Sequence, residues 1–306
     1  SIECTPEHPF LVLEVPNYQK YGDIHDKWAD VEKNIVWKRA DAITKNDYVL
    51  STRPQYIEKT ICIQTKDFLQ KKILIDNNRI YIARKLPWGN KYVKAANSQS
   101  IPDVINLTKN VGEIFGWFLA EGHIQNNKYV CFTLGTHEKD IIDRLSSLIK
   151  SEFGLTSTRE TISSNGGVSL RLKVGSALFA ELLQSLFGTG SYNKHLPDGF
   201  TTYPIEFINS VYTSWIRGDA GVSVSNTLIK QMFLAMLILG KQPHLKLNYG
   251  EGFCLQEAKN FSAKLFKNYL AYRVISNDSF DDAREVYNFS VEDVDTYIVN
   301  GAIVHN

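Results

Sequence analysis

The alternation of apolar and polar positions gives this chain two different textures. Near both ends it has period two. Residues 10–15, "FLVLEV", read as a strand, and the last residues, "TYIVNGAIVHN", read as a hairpin. There, Tyr297, Ile298 and Val299 lead to an Asn300-Gly301 turn and then to Ala302, Ile303 and Val304. Toward the middle the period becomes helical. "VGEIFGWFLAEGHI" (111–124) and "FINSVYTSWIRGDAGVSV" (207–224) are apolar helix patterns that contain small residues and end on an acid beside a glycine. The first is followed by a strand, "YVCFTLG", and by an amphipathic helix with Ile141, Ile142, Leu145, Leu148 and Ile149 on one face. The second passes almost directly into the apolar "LIKQMFLAMLIL", so it reads as one strand short. In "GGVSLRLKVGS", Val168, Leu170, Leu172 and Val174 face one way, and Arg171 and Lys173 the other. "NNRIYIARKLPWGNKYV" reads as a hairpin with basic and aromatic faces.

Composition excludes more than it identifies. The chain has 306 residues, 43% apolar and 22% charged, which suits one large core or two ordinary ones. A net charge of +1 argues against a uniformly basic nucleic-acid binder but leaves room for a local patch. Cys4, Cys62, Cys131 and Cys254 have neither metal-ligand spacing nor a dense framework, which fits a reducing, intracellular setting. The longest apolar stretch, Met232 to Leu239, is too short for a membrane span, and the N-terminus does not read as a signal peptide.

Three groups of residues carry candidate chemistry. The first is "TPEH": Thr5 and His8 on a turn before a strand can aim a hydroxyl and an imidazole at one peptide bond, although a surface histidine is the plainer reading. The second is "VHN". The side-chain nitrogen of Asn306 can attack its own carbonyl carbon and break the following peptide bond, while His305 protonates the departing amine. The third is the pair of helices. Gly116 and Ala120 lie four apart, as do Ser214 and Gly218, a spacing that lets two helices approach closely. Each helix then delivers a carboxylate, Glu121 or Asp219, at its end. Together they could hold a divalent cation for phosphodiester cleavage. An ordinary core helix with an acid at its end is the alternative for each.

Taken together, "TPEH", "VYNFSVEDVDTYIVNG" and "VHN" in that order resemble the splicing domain of inteins, and "WKRADAITKNDYVLS" resembles its next β-segment. The resemblance implies that Thr5 and His8 activate the N-terminal splice junction and that Asp295 assists both junctions. It also makes His305 the penultimate histidine and Asn306 the cyclising asparagine. Splicing of this kind needs no cofactor. The opening cysteine or serine motif of inteins is not found ahead of "TPEH"; Ser1 and Cys4 stand in the wrong context. The expectation is therefore the C-terminal portion of a split intein, whose partners are an N-terminal intein fragment and the flanking extein polypeptides.

The two helical segments resemble the paired motifs of LAGLIDADG homing endonucleases, which commonly interrupt inteins. On that resemblance Glu121 and Asp219 bind Mg²⁺, and Lys194 in "NKHLPDGF" stabilises charge near the cut phosphate of double-stranded DNA at a homing site. Arg171 and Lys173 would face DNA. So would a basic, aromatic arm that includes Lys71, Lys72, Arg84, Lys85, Lys91 and Lys94, although a solvated subdomain explains the arm equally. The expected architecture is a mainly β splicing domain, horseshoe-like (Hint-type), from residues 1–65 and 275–306. An α+β two-repeat endonuclease domain at 105–274 interrupts it, with residues 66–104 as the arm or linker. The shortened second repeat puts cleavage in doubt. The competing reading is a free-standing LAGLIDADG endonuclease or DNA-binding protein without splicing; a hedgehog-type processing domain, which needs no C-terminal His-Asn, ranks below it.

Overall fold

A computed structural model describes residues 2–14, 34–96, 98–164, 167–247, 252–257, 263–266, 269–281, 285, 296–299 and 302–305. The chain divides into two compact units. Unit 1 is Ser1–Gln55, Gly240–His244 and Glu257–Asn306; unit 2 is Tyr56–Leu239 and Leu245–Gln256.

Unit 1 is built on a seven-stranded antiparallel sheet. Its strands run in the order Ala263–Phe266, Tyr269–Arg273, Asp47–Thr52, Pro9–Glu14, Ala302–His305, Thr296–Val299, with Ile35–Arg39 also paired to Pro9–Glu14. The period-two pattern has a direct consequence. Phe10 and Val12 pack in one apolar cluster with Ala302 and Val304, whereas Leu13 packs in another with Leu50, Ala271 and Ile303. Both faces of the central strands are therefore covered. Asp47 is buried, and it is satisfied by Lys38 Nζ at 2.9 Å, Thr44 N at 2.6 Å and Thr44 Oγ1 at 3.0 Å. The terminal hairpin forms as its alternation implies, with Val299 opposite Ala302.

Unit 2 is α+β. Its first half runs α1 (Lys109–Glu121), strands Gly122–Gln125 and Tyr129–Gly135, α2 (Lys139–Phe153), strands Ser157–Ser164 and Gly167–Gly175, then α3 (Ala177–Phe187). Its second half runs α4 (Ile205–Asp219), the short strand Val222–Ser223, α5 (Asn226–Ile238), then strands Pro243–Leu247 and Phe253–Glu257, of which Pro243, His244 and Glu257 count with unit 1. The four-stranded sheet of the first half corresponds to a three-stranded one in the second. No second strand separates Val222–Ser223 from α5. Caps define the helix starts: Thr108, Ser176 and Ser225 each accept a hydrogen bond from the backbone N–H three residues on. Helix α1 is buried nearly all round, as suits a central element.

Residues 56–65 belong to unit 2, where Cys62–Gln64 pairs with Val104–Asn106, whereas Tyr269–Arg273 belongs to unit 1. The segment 66–104 also packs within unit 2. It forms a small sheet of Ile73–Asp76, Arg79–Lys85, Tyr92–Lys94 and Ile101–Pro102, and Ile80 and Ile101 are fully buried in the unit's core. Asn77 and Asn78 both have positive φ, the backbone that a two-residue hairpin turn requires.

Candidate functional site

The site begins with how closely α1 and α4 approach. A Cβ on Gly116 would lie 2.4 Å from the Val211 carbonyl oxygen and 2.7 Å from Ser214 Cβ. One on Gly112 would meet the Phe207 carbonyl at 2.7 Å, and one on Gly218 would meet Ala120 Cβ at 2.5 Å. Gly112 and Gly116 let α1 meet the backbone of α4 directly, and Gly218 makes room for the Ala120 side chain. The helices end together, α1 on Glu121 and α4 on Asp219. Glu121 Cγ lies 3.5 Å from a Cβ built on Gly218, so its side chain rests against the last turn of α4.

Between the helix ends sits Lys194. Its ammonium donates to the carbonyl oxygens of Phe118 (3.2 Å), Leu119 (2.6 Å) and Ala120 (3.2 Å), closing the C-terminus of α1 with a positive charge. The lysine is itself fixed from the second half. Ser225 Oγ donates to the Lys194 carbonyl at 2.6 Å, and the Gln231 amide bonds both N and O of Leu196. Burial lowers the Lys194 pKa, and Asp219 and Glu121 oppose that shift. Burial pushes Asp219 up to about 7. Lys194 lowers it, Glu121 raises it, and the Trp215 indole N–H offsets a little without reaching good hydrogen-bond geometry. Glu121 is raised by burial and then by Glu138.

Both carboxyls are raised first by burial, and the Lys194 charge opposes that shift in each. The pair therefore suits a cation. Among the described residues no group of three or more His, Cys, Asp or Glu side chains is placed to hold an ion. Glu121 and Asp219 by themselves could hold Mg²⁺, an ion often bound by one or two carboxylates plus water and substrate phosphate.

The four-stranded sheet continues from this point, its first strand starting one residue after Glu121. Cross-strand register places His123, Cys131 and Lys173 in one row and Thr133, Arg171 and Glu160 in the next, on the face opposite the core residues Phe132, Leu172 and Val174. Lys173 lies 3.4 Å from Glu160 and over the Tyr129 ring; Arg171 is 3.9 Å from Glu160. Thr133 Oγ1 and Arg171 Nε are buried without a protein partner. His123, Thr133 and Glu160 escaped the sequence reading, because strand register decides which residues share a face.

The basic arm separates into two classes. Lys71 is neutralised by Glu181 at 2.9 Å, Lys94 pairs with Asp76 and lies over Tyr81, and Lys72 lies over Tyr92. Each of these three thus has a partner within unit 2. Arg84, Lys85 and Lys91 are exposed, and among the described residues they carry no ion pair or side-chain hydrogen bond.

In unit 1, the Thr5–His8 turn is closed by His8 N donating to Thr5 O at 3.1 Å, and Ala40 N donates to His8 O at 2.9 Å. The strand after it pairs Phe10 with Val304, which brings His8 and His305 to neighbouring strand ends. The His8 ring lies 6.3 Å from Tyr297 and that of His305 lies 5.3 Å from Trp37. Burial lowers the His8 pKa, with Glu7 opposing. Asp295 and Asn306 lie outside the described residues.

Comparison with known proteins agrees with part of this geometry. Residues 109–188, from α1 through α3, match the LAGLIDADG-like domain. The chain is similar to the uncharacterized protein MJ0043 of Methanocaldococcus jannaschii, at 28% identity over 247 residues covering 67% of this chain and 31% of that protein. It is also similar to the DNA-directed RNA polymerase subunit Rpo1C of the same organism, at 24% over 168 residues covering 55% of this chain and 18% of the subunit. The chain thus spans less than a third of the length of these curated relatives. The structure of I-DmoI in complex with DNA and Mn matches at 10% identity and a TM-score of 0.38, over 50% of this chain and 91% of that one. Residues 109–188 of the chain thus carry a LAGLIDADG-type α+β domain.

Proposed function

We propose that unit 2 binds double-stranded DNA and cleaves it weakly at one site. The observation that carries this reading is the convergence of Glu121 and Asp219 at the ends of two helices in backbone contact. A divalent cation held by these carboxylates would polarise the phosphodiester and make the attacking water more acidic. The chain's own residues do the positioning. Lys194 fixes the end of α1 and hence Glu121; Arg171 and Lys173 meet phosphates; the exposed His123 offers a polar group to base edges. The strand missing from the second half narrows the DNA-facing surface, which is why cleavage should be weak. The test is a duplex spanning the uninterrupted insertion site. Glu121→Gln and Asp219→Asn should each abolish Mg²⁺-dependent cutting while leaving affinity equal or tighter. Salt-insensitive or undetectable binding by the wild type would refute the reading.

A second reading concerns unit 1, which we infer to be a protein-splicing domain. Its support is the Phe10–Val304 pairing, which sets the Thr5–His8 turn beside His305; DNA cleavage needs neither. Recurrence of the matched segment within differently named proteins, a third or less of each, suits an inserted element. In this reading Thr5 and His8 polarise the N-terminal junction, with help from Asp295. The Asn306 amide nitrogen attacks its own backbone carbonyl carbon, the following C–N bond breaks, and His305 supplies the proton that leaves with the amine. With a reporter fused after residue 306, Asn306→Ala should abolish its release and His305→Ala should slow it, read by mass spectrometry. Release from Asn306→Ala at the wild-type rate would remove splicing from the account.

A further inference from the structure

The tip of the small sheet in unit 2 is unlike its base. From Asn77 to Pro102 the chain contains no acidic residue. Within that stretch, Arg79 is spent on Ser100 (2.8 Å to Oγ) and on the Phe153 carbonyl (2.7 Å), and Lys94 on Asp76 and Tyr81. The cations left over, Arg84, Lys85 and Lys91, are gathered around one turn, "RKLPWGNK". At its apex Trp88 is 89% exposed, an unusual place for the largest apolar side chain. The turn is ordered: Leu86 N donates to Lys91 O at 3.0 Å, Lys85 pairs with Tyr92, and Pro87 precedes the indole. A Cβ on the following Gly89 would meet nothing within 4 Å, so the apex stands clear of the rest of the fold.

We propose that residues 84–91 form a second DNA contact, in which Trp88 stacks on or wedges between base pairs while Arg84, Lys85 and Lys91 lie on the flanking phosphates. This rests on the DNA-binding reading of unit 2. Two observations favour DNA over another anionic partner. The base of the hairpin is fastened to the end of the four-stranded sheet. Gln99 donates to the Gly175 carbonyl at 2.9 Å and accepts from Thr156 N at 2.9 Å, beside the row that carries Lys173. The hairpin is therefore anchored within two residues of Lys173 on the strand that carries the proposed DNA face. The reach is also suitable. Six residue steps from Arg79 to Lys85 span about 20 Å, or roughly six base pairs, beyond the point of attachment. Aromatic stacking beside cations is sequence-tolerant, so this contact would extend the footprint without adding much specificity.

The experiment compares full-length wild type, Trp88→Ala, Trp88→Phe, the triple change Arg84→Ala/Lys85→Ala/Lys91→Ala, and Arg171→Ala/Lys173→Ala. Binding to the insertion-site duplex is measured across a salt series, with acrylamide quenching of tryptophan fluorescence. Because the tip is exposed, its variants should keep the wild-type circular dichroism. Trp88→Ala should weaken binding about tenfold and Trp88→Phe much less. The triple change should lower the salt slope by about 2 to 3. Duplex should shield a quenchable tryptophan in wild type that is missing in Trp88→Phe. Unchanged affinity and slope in the tip variants, with binding weakened by Arg171→Ala/Lys173→Ala, would overturn this proposal and leave the DNA reading standing. Absence of binding by the wild type would overturn both. Trp88-dependent binding to phosphatidylserine-containing vesicles, with DNA binding unaffected by the tip, would assign the tip to membranes and overturn the proposal.

Discussion

Replacing Gly116 with alanine sets two opposing effects against each other. In a helix, alanine is favoured over glycine by about 1 kcal/mol. At this position, however, the new methyl would lie 2.4 Å from the Val211 carbonyl oxygen and 2.7 Å from Ser214 Cβ. Ordinary contact needs about 3.4 Å or more, so α1 and α4 must part by about 1 Å. The obstacle is backbone and cannot rotate away. Overpacking of this kind costs about 1–3 kcal/mol, and the upper end applies to a rigid neighbour. Parting the helices also forfeits a quarter to a half of each affected van der Waals contact. The net expectation is a loss of about 2 kcal/mol despite the better helix former. Urea unfolding should show it as a lower midpoint at unchanged slope, followed through Trp117 and Trp215, both buried in this helix pair. Adding Ser214→Gly should recover part of the loss, because it removes the 2.7 Å contact but leaves the carbonyl in place. The displacement should also carry Glu121 away from Asp219, so any cleavage should fall further than DNA affinity. A Gly116→Ala protein as stable as wild type would refute the close-contact argument.

Other outcomes follow from single residues. Ala220 caps α4 in the left-handed region, at φ 51°. Glycine there should relieve about 1–2 kcal/mol of backbone cost against a smaller entropic loss, so Ala220→Gly should stabilise by about 0.5–1 kcal/mol, read by the same unfolding assay. His8 should titrate below the ordinary histidine value in an NMR series, since burial disfavours its charged form. With the folded pKa the lower one, the unfolded chain binds more protons between the two values. Stability should therefore be greatest above the unfolded pKa and decline as pH falls through the folded one; a His8 resonance titrating above 6.5 would contradict this.

How much of this was legible beforehand depends on the range of the interaction. The terminal hairpin, the amphipathic face of α2 and the alternating strand with Arg171 and Lys173 are local, and their periods alone identify them. The small-residue spacing at Gly116 and Ala120, and at Ser214 and Gly218, announced two helices in close contact. Even the absent strand after α4 could be read from "GVSVSNTLIKQ". What could not be read was pairing over distance. Lys71 looks like any other lysine of a basic run until Glu181, over a hundred positions later, is found beside it. Lys194 was singled out as a charge near the phosphate, yet its three hydrogen bonds to the end of α1 are a tertiary fact with no local signature. Likewise, His123, Thr133 and Glu160 join Arg171 and Lys173 only through register. The attachment of residues 66–104 to unit 2 rests on Ile80, Ile101, Arg79 and Gln99, no one of which advertises a partner.

The sheet of unit 1 releases the chain at Thr52 and recovers it in the strand beginning at Ala263, two places away, with Tyr269–Arg273 between. Two strand spacings across and three residue rises along make that gap about 14 Å. Chain ends so close can be joined by a handful of residues, so unit 1 closes its own hydrogen-bond ladder whether or not anything large is threaded between them. The intervening unit behaves as a parenthesis: it can lengthen, lose a strand or vanish without altering the grammar of its host. Selection on the two units is thereby uncoupled, and unit 2 can erode while the sheet of unit 1 stays intact.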